Sequence, residues 1–237
     1  MDQLVYKMEG KVVVITGSSR GLGAALARVF VSKKAHAVIS SRDGGELKKL
    51  ADEIGATDFV ADVRSEAEMN ELADKIVSKY GAIDFWINNA GVWLPRALIL
   101  DVDMKRARDL FDVNVFGTIN GSRAALRQMK KQKWGVIVNI VSTSALEPRP
   151  YSAIYSASKH AAKGFTDSLR EEIKENGISV VGIYPGGIKT NIFDEHQPPE
   201  FADFMEPDFV AEKIVEHLEK DVPESELVIK RPGQILK

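Results

Sequence analysis

The order of apolar runs along the chain limits its fold more than any other feature. "KVVVITG" at residues 11–17 is an almost unbroken apolar stretch that stops at glycine. A strand with one wet face alternates polar and apolar residues, whereas a run like this one is buried on both faces, as in a parallel sheet. "GAALARVFVSK" follows at once, with Leu26, Val29 and Phe30 at helical spacing. The pattern then repeats. Strands are predicted at 36–41, 57–63, 83–91, 135–142 and 178–187, with a weaker one at 226–231, and helical stretches such as 45–54 and 66–81 lie between them. Parallel strands joined through helices need right-handed crossovers, which place helices on both faces of the sheet. The expectation is an α/β fold: one domain over 1–237 with a doubly wound parallel sheet of about seven strands. "QPPEFADFMEP" at 197–207 interrupts the pattern and reads as a surface loop.

Composition removes several classes of function. A formal net charge of -2 gives no electrostatic basis for binding nucleic acid or an anionic membrane. There is no cysteine, so disulfide and thiol chemistry are absent, which fits a reducing, cytoplasmic setting. The first ten residues carry acids and no long apolar run, so they read as no secretory signal, and no stretch approaches the ~18 apolar residues of a membrane span. No metal site is expected.

The first strand leads into "TGSSRGLG" at 16–23. Gly17, Gly21 and Gly23 are spaced more widely than in the G-x-G-x-x-G dinucleotide fingerprint, but the physical task can be the same: a tight turn that aims backbone N–H groups at a pyrophosphate from a helix N-terminus. Further marks follow in order: "NNAG" at 88–91, Asn114 in "NVFG", Ser142, "YSASK" with Tyr155 and Lys159, and "PGGIKT" at 185–190. Together they resemble the short-chain dehydrogenase/reductase family, in its single-domain branch, over roughly residues 11 to 190.

Within "YSAIYSASKH" two tyrosines compete. Residues four apart share a helix face, about 6 Å of rise from each other, so Tyr155 and Lys159 can meet at one site. Tyr151 would be about 12 Å of rise from Lys159 and follows "EPRP", where prolines oppose a regular helix. A tyrosine with a pKa near ~10 needs a shift of about 3 units, roughly 4 kcal/mol, to exchange a proton near neutrality. One cation about 4 Å away at an effective dielectric of ~20 supplies that much; Lys159 is the expected source, and an oxidised nicotinamide ring would add positive charge.

The resemblance implies a Rossmann-type fold and roles for these residues. Tyr155 is the general acid and base, Ser142 hydrogen-bonds the substrate oxygen, Lys159 also grips the nicotinamide ribose, and Asn114 holds a water for proton relay. The expected cofactor site comprises Gly17, Ser19, Arg20, Gly21, Leu22 and Gly23 at the phosphates, Asp62 and Val63 at the adenine, and Asn89, Ala90 and Gly91 at the adenine ribose. Pro185, Gly186, Ile188 and Thr190 complete it, with Tyr155 and Lys159. An acid at the end of the second strand would favour NAD; the chain has Ser41 there, followed by Arg42, and Arg20 stands in the glycine loop. Asp43 is read as a cap of the next turn. NADP(H) is therefore expected over NAD(H). The implied function is interconversion of a small-molecule ketone or aldehyde and its alcohol; the alternative is a non-catalytic NADP-binding sensor or scaffold. The resemblance also implies a homodimer or homotetramer. Phe193, Phe201, Phe204 and Met205 on one side and Trp93, Leu94 and Leu146 on the other either wall a substrate pocket or only pack the loop down.

Overall fold

The computed structural model describes residues 8–175, 177–220 and 223–231. Seven strands form one fully parallel sheet in the order β3-β2-β1-β4-β5-β6-β7. They are β1 (Val12–Thr16), β2 (His36–Ser41), β3 (Thr57–Val60), β4 (Phe85–Asn88), β5 (Gly135–Ile140), β6 (Ile178–Pro185) and β7 (Glu226–Ile229). Among the described residues, seven α-helices connect or follow them: α1 (Gly21–Ser32), α2 (Gly44–Ile54), α3 (Glu66–Tyr80), α4 (Met104–Phe111), α5 (Gly117–Gln132), α6 (Ala153–Ile173) and α7 (Pro207–Leu218).

Strand alternation sorts the core into two layers. Val13 and Ile15 of β1 pack with α1, α2 and α7, whereas Val12 and Val14 pack with α3, α5 and α6. Both faces of β1 are covered, so all five of its residues are buried, as the unbroken apolar run requires. β1 pairs with β2 on one side and β4 on the other. Crossovers therefore leave β1 and β4 in opposite directions, and a crevice opens beyond the carboxyl ends of the strands between them.

The strands end earlier than the apolar pattern suggests. β3 stops at Val60, three residues short of 63; β4 spans Phe85–Asn88 within 83–91; β6 stops at Pro185 rather than 187. The residues beyond turn toward the crevice, keeping only single backbone bonds to the neighbouring strands, such as the Ala61 N–H to the Ser41 carbonyl. At the opposite end, Asp84 precedes β4 and is held by the Val12 N–H at 2.8 Å and the Lys11 ammonium at 2.8 Å. Among the described residues no helix is long and apolar enough to cross a membrane.

Candidate active site

Each glycine of the first loop has its own steric reason. Gly17 has φ +63°, and a Cβ there would lie 2.6 Å from the Ala90 Cα. Gly21 has φ +58° and faces Thr190 across the crevice. A Cβ on Gly23 would stand 2.5 Å from the Gly17 carbonyl oxygen and 2.6 Å from Asn89 Nδ2. The loop thus lies flat against the segment after β4. Asn89 secures it: Nδ2 donates to the carbonyls of Thr16 at 2.9 Å and Gly17 at 3.0 Å, while the N–H groups of Asn89 and Ala90 donate to Thr16 Oγ1. Asn89, expected at a ribose, spends its side-chain amide on this loop. α1 begins without a side-chain cap and with no acid in its first turn. An uncapped helix start behind a loop that excludes side chains fits an anionic pyrophosphate. Leu22 is buried in the core, so it offers the crevice only backbone, and Ser19 is part-buried beside it.

A buried polar chain sets α6 over the crevice. Trp86 Nε1 donates to Asn88 Oδ1 at 2.9 Å; Asn88 Nδ2 donates to Ser122 Oγ at 2.9 Å and Asn139 Oδ1 at 2.8 Å. Asn139 Nδ2 then donates to Thr166 Oγ1, which donates to the Ala162 carbonyl. β4, β5, α5 and α6 are joined through side chains whose hydrogen-bonding groups all find partners. Gly121 makes room for this chain, since a Cβ there would stand 2.1 Å from Asn88 Oδ1. Sequence reasoning passed over Asn88, Asn139 and Thr166, because a polar residue within an apolar strand gives no sign of its partner.

Tyr155 and Lys159 lie one turn apart on α6, and the Lys159 ammonium is 5.8 Å from the centre of the Tyr155 ring. Lys159 Nζ donates to the Ile140 carbonyl at the end of β5 at 3.2 Å. Ser142 follows on that strand's extension, where its Oγ accepts from the Ser144 N–H. Tyr151 stands outside the helix, which starts at Ala153; its φ is +62° and its side chain is exposed. The helical rise expected between Tyr151 and Lys159 therefore does not exist. The expected lowering of the Tyr155 pKa is also corrected. Burial raises it to about 12, with the Ser142 hydroxyl working the other way, and burial lowers Lys159 to about 8. Desolvation favours the neutral form of each group, raising the phenol and lowering the ammonium.

Asn114 sits in a π-helical segment, Asp112–Phe116, between α4 and α5. Such a one-residue widening commonly marks a functional position. Asn114 Oδ1 accepts from the Val92 N–H at 2.8 Å, and Nδ2 donates to the Val92 carbonyl at 2.9 Å and to Ser158 Oγ at 3.2 Å. Ser158 in turn donates to the Tyr155 carbonyl at 2.7 Å. The Asn114 side chain thus pins the loop after Gly91 to α6. A Cβ on Gly91 would stand 3.5 Å from Asn114 Oδ1 and 3.8 Å from Lys159 Nζ.

At the end of β2, Ser41 Oγ donates to the Asp43 carbonyl, and Arg42 is exposed. Asp43 caps α2, accepting from the Gly45 and Glu46 N–H groups. Asp62 is engaged by the Arg64 guanidinium, at 2.9 Å from Nε and 2.5 Å from Nη2. Burial raises the Asp62 pKa, but the Arg64 hydrogen bonds outweigh it and leave the carboxyl below its ordinary value. The Val63 side chain packs against Gly117. Arg20 lies 3.9 Å from Asp194, both side chains exposed. Pro185 ends β6, the Gly186 N–H donates to the Ile229 carbonyl, and Ile188 bridges to Met205.

The segment after β6 is more ordered than a surface loop. Single 3-10 turns at Asn191–Phe193 and Phe201–Asp203 fold it back over the crevice. The Phe193 ring lies 4.9 Å from Trp93, 5.9 Å from Phe201 and 5.4 Å from Phe204, and the rings meet edge-on or tilted.

The model of the short chain dehydrogenase family matches residues 11–200. An uncharacterized oxidoreductase of Staphylococcus saprophyticus is 34% identical over 192 residues, covering 78% of this chain and 82% of the relative. The L-fucose dehydrogenase of Mus musculus is also 34% identical over 192 residues, covering 81% and 70%. Among solved structures, an alcohol dehydrogenase of the archaeon Thermococcus sibiricus, complexed with 5-hydroxy-NADP, superposes with a TM-score of 0.86 at 25% identity, over 97% of this chain and 100% of that one. A 3-ketoacyl-(acyl-carrier-protein) reductase of Brucella melitensis, complexed with NADH, gives a TM-score of 0.87 at 28% identity, over 94% and 97%.

Proposed function

The chain belongs to the short-chain dehydrogenase family, and from that premise we propose that it is an NADP(H)-dependent oxidoreductase interconverting a ketone or aldehyde and its alcohol, with Tyr155 as general acid and base. The observation that carries this reading is the meeting of Tyr155, Lys159 and Ser142 at the carboxyl ends of the central strands, opposite a glycine loop that admits only backbone. When bound, the nicotinamide cofactor supplies or accepts the hydride.

The residues divide the remaining work. The flat loop from Gly17 to Gly23 and the start of α1 hold the pyrophosphate. Arg20 and Arg42, with no acid at Ser41, favour a ribose 2′-phosphate. Tyr155, protonated at neutral pH like any phenol and held more firmly so by burial, which lifts its pKa to about 12, donates its proton to the carbonyl oxygen in reduction, and Ser142 orients that oxygen. In oxidation the same phenol acts as base. Lowering a pKa of about 12 to about 7 takes roughly 7 kcal/mol, more than the ~4 kcal/mol of one close cation. Lys159 therefore needs help from a second positive charge, which an oxidised nicotinamide ring carries. Asn114 acts as a positioning residue in this account, since its side chain is committed to Val92 and Ser158. Leu98, Leu100, Met104 and Phe116 are exposed on and around α4 and the π segment, which supports assembly as a homodimer or homotetramer.

The test is NADPH consumption against small diketones, aromatic aldehydes, sugars and steroids. Turnover that Tyr155→Phe abolishes supports the enzyme. Tight NADP(H) binding with no turnover of any compound would instead fit a cofactor sensor or scaffold.

A further inference from the structure

We propose that the substrate bears an uncharged aromatic ring beside its carbonyl group and that this ring inserts between Trp93 and Phe193. The inference rests on the carbonyl oxidoreductase reading and names the substrate class of that same site.

Trp93 is two residues beyond Gly91, whose backbone lies against Lys159 and Asn114. The Trp93 ring meets Phe193 at 4.9 Å and 63°, and Phe193, Phe201 and Phe204 form a cluster behind it. The cluster is anchored at the strand end, because the Phe204 ring fills the space a Cβ on Gly187 would need. Beside Tyr155 itself there is a cavity of only about 10 Å³, bordered by Leu94, Pro95 and Ile154. That volume holds at most one water. Leu94, the residue after Trp93, borders that cavity together with Tyr155, so a substrate ring docking beside Trp93 lies next to the Tyr155 end of α6 and parts the aromatic cluster. Parting it breaks edge-to-face contacts that another aromatic ring restores and a sugar does not.

The acids of the covering segment are exposed or part-exposed and ion-paired. Each of its acids pairs with a base: Asp194 with Arg20, Glu195 with Arg106, Glu200 with Arg96, Asp203 with Arg231 and Glu206 with Lys189. A carboxylate on the substrate would meet aromatic faces and bases already matched. In reduction, the ring holds the carbonyl carbon where it receives a hydride from the reduced cofactor, while the carbonyl oxygen takes the Tyr155 proton and the ketone becomes an alcohol.

Two measurements test this. The first is kcat/KM with NADPH for 1-phenyl-1,2-propanedione, 2,3-butanedione and phenylglyoxylate. The phenyl diketone is expected to exceed both others by about tenfold or more, and Phe193→Ala to reduce its lead over butanedione by a similar factor. The second is acetophenone binding followed by tryptophan fluorescence, which needs no turnover. Saturable quenching is expected in the wild type, weakened about tenfold in Phe193→Ala, which keeps Trp93 as reporter. Absence of saturable quenching, or a preference for butanedione or the carboxylate, overturns the proposal. Saturable binding without consumption of any carbonyl compound would sink the oxidoreductase reading and leave the ring site standing.

Discussion

The Lys159 ammonium stands 5.8 Å from the centre of the Tyr155 ring, yet burial moves the two groups in opposite directions, the phenol up to about 12 and the ammonium down to about 8. The lysine is held charged at neutral pH at a cost to the fold. Its folded pKa lies below the ordinary 10.5, so between about 8 and 10.5 the unfolded chain binds more protons and stability rises with pH. Lys159→Met removes the buried charge. It should stabilise the cofactor-free protein by about 1–3 kcal/mol at pH 7, less near pH 10. Urea unfolding at both pH values checks this; a variant less stable than wild type at pH 7 would contradict it.

The buried chain from Trp86 through Asn88 and Asn139 to Thr166 should be costly to cut. Asn139→Leu leaves Asn88 Nδ2 short of one acceptor and Thr166 without its donor. A loss of about 2–4 kcal/mol is expected from the orphaned groups and the larger side chain. Thermal or chemical denaturation reads it directly, and a loss below about 0.5 kcal/mol would mean that the chain is not a structural tie.

Gly23→Ala places a methyl group against the Gly17 carbonyl and the Asn89 amide. The loop must shift, so cofactor affinity should fall by about tenfold or more, while the sheet core beneath remains. Gly10→Ala is the control for a glycine at positive φ with open space around it, and it should leave cofactor binding unchanged. Calorimetric titration of both variants separates the two cases.

Cofactor choice is tested by titrating NADPH and NADH into wild type, Arg42→Ala and Arg20→Ala. NADPH should bind the wild type more tightly, and each substitution should narrow the gap by several-fold, as expected for loss of one charge-assisted contact to a phosphate. A wild-type preference for NADH would reverse the assignment.

The fold was legible because buried parallel strands leave continuous apolar runs, and Val12–Thr16 is such a run. Strand ends were less so: residues such as Val63 remain apolar after leaving the sheet because they pack under the start of α5 and into the core. At the site, spacing brought Tyr155 and Lys159 to one helix face, and Asp43 was rightly read as a cap. Burial was not legible, and so the direction of the Tyr155 shift was missed. Partners distant in sequence were invisible too. Nothing in "NVFG" or "NNAG" shows that Asn114 and Asn89 would spend their amides on Val92 and on the glycine loop.

The account depends most on the Tyr155 hydroxyl. Tyr155→Phe keeps the ring and removes one oxygen, so the fold and the Lys159 contacts to backbone should survive. Single-turnover reduction of a responsive carbonyl compound, with NADPH binding measured alongside, is the decisive measurement. The chemical step should slow by about 10²–10⁴-fold while NADPH affinity changes no more than about threefold. Near-normal chemistry in Tyr155→Phe would contradict the account.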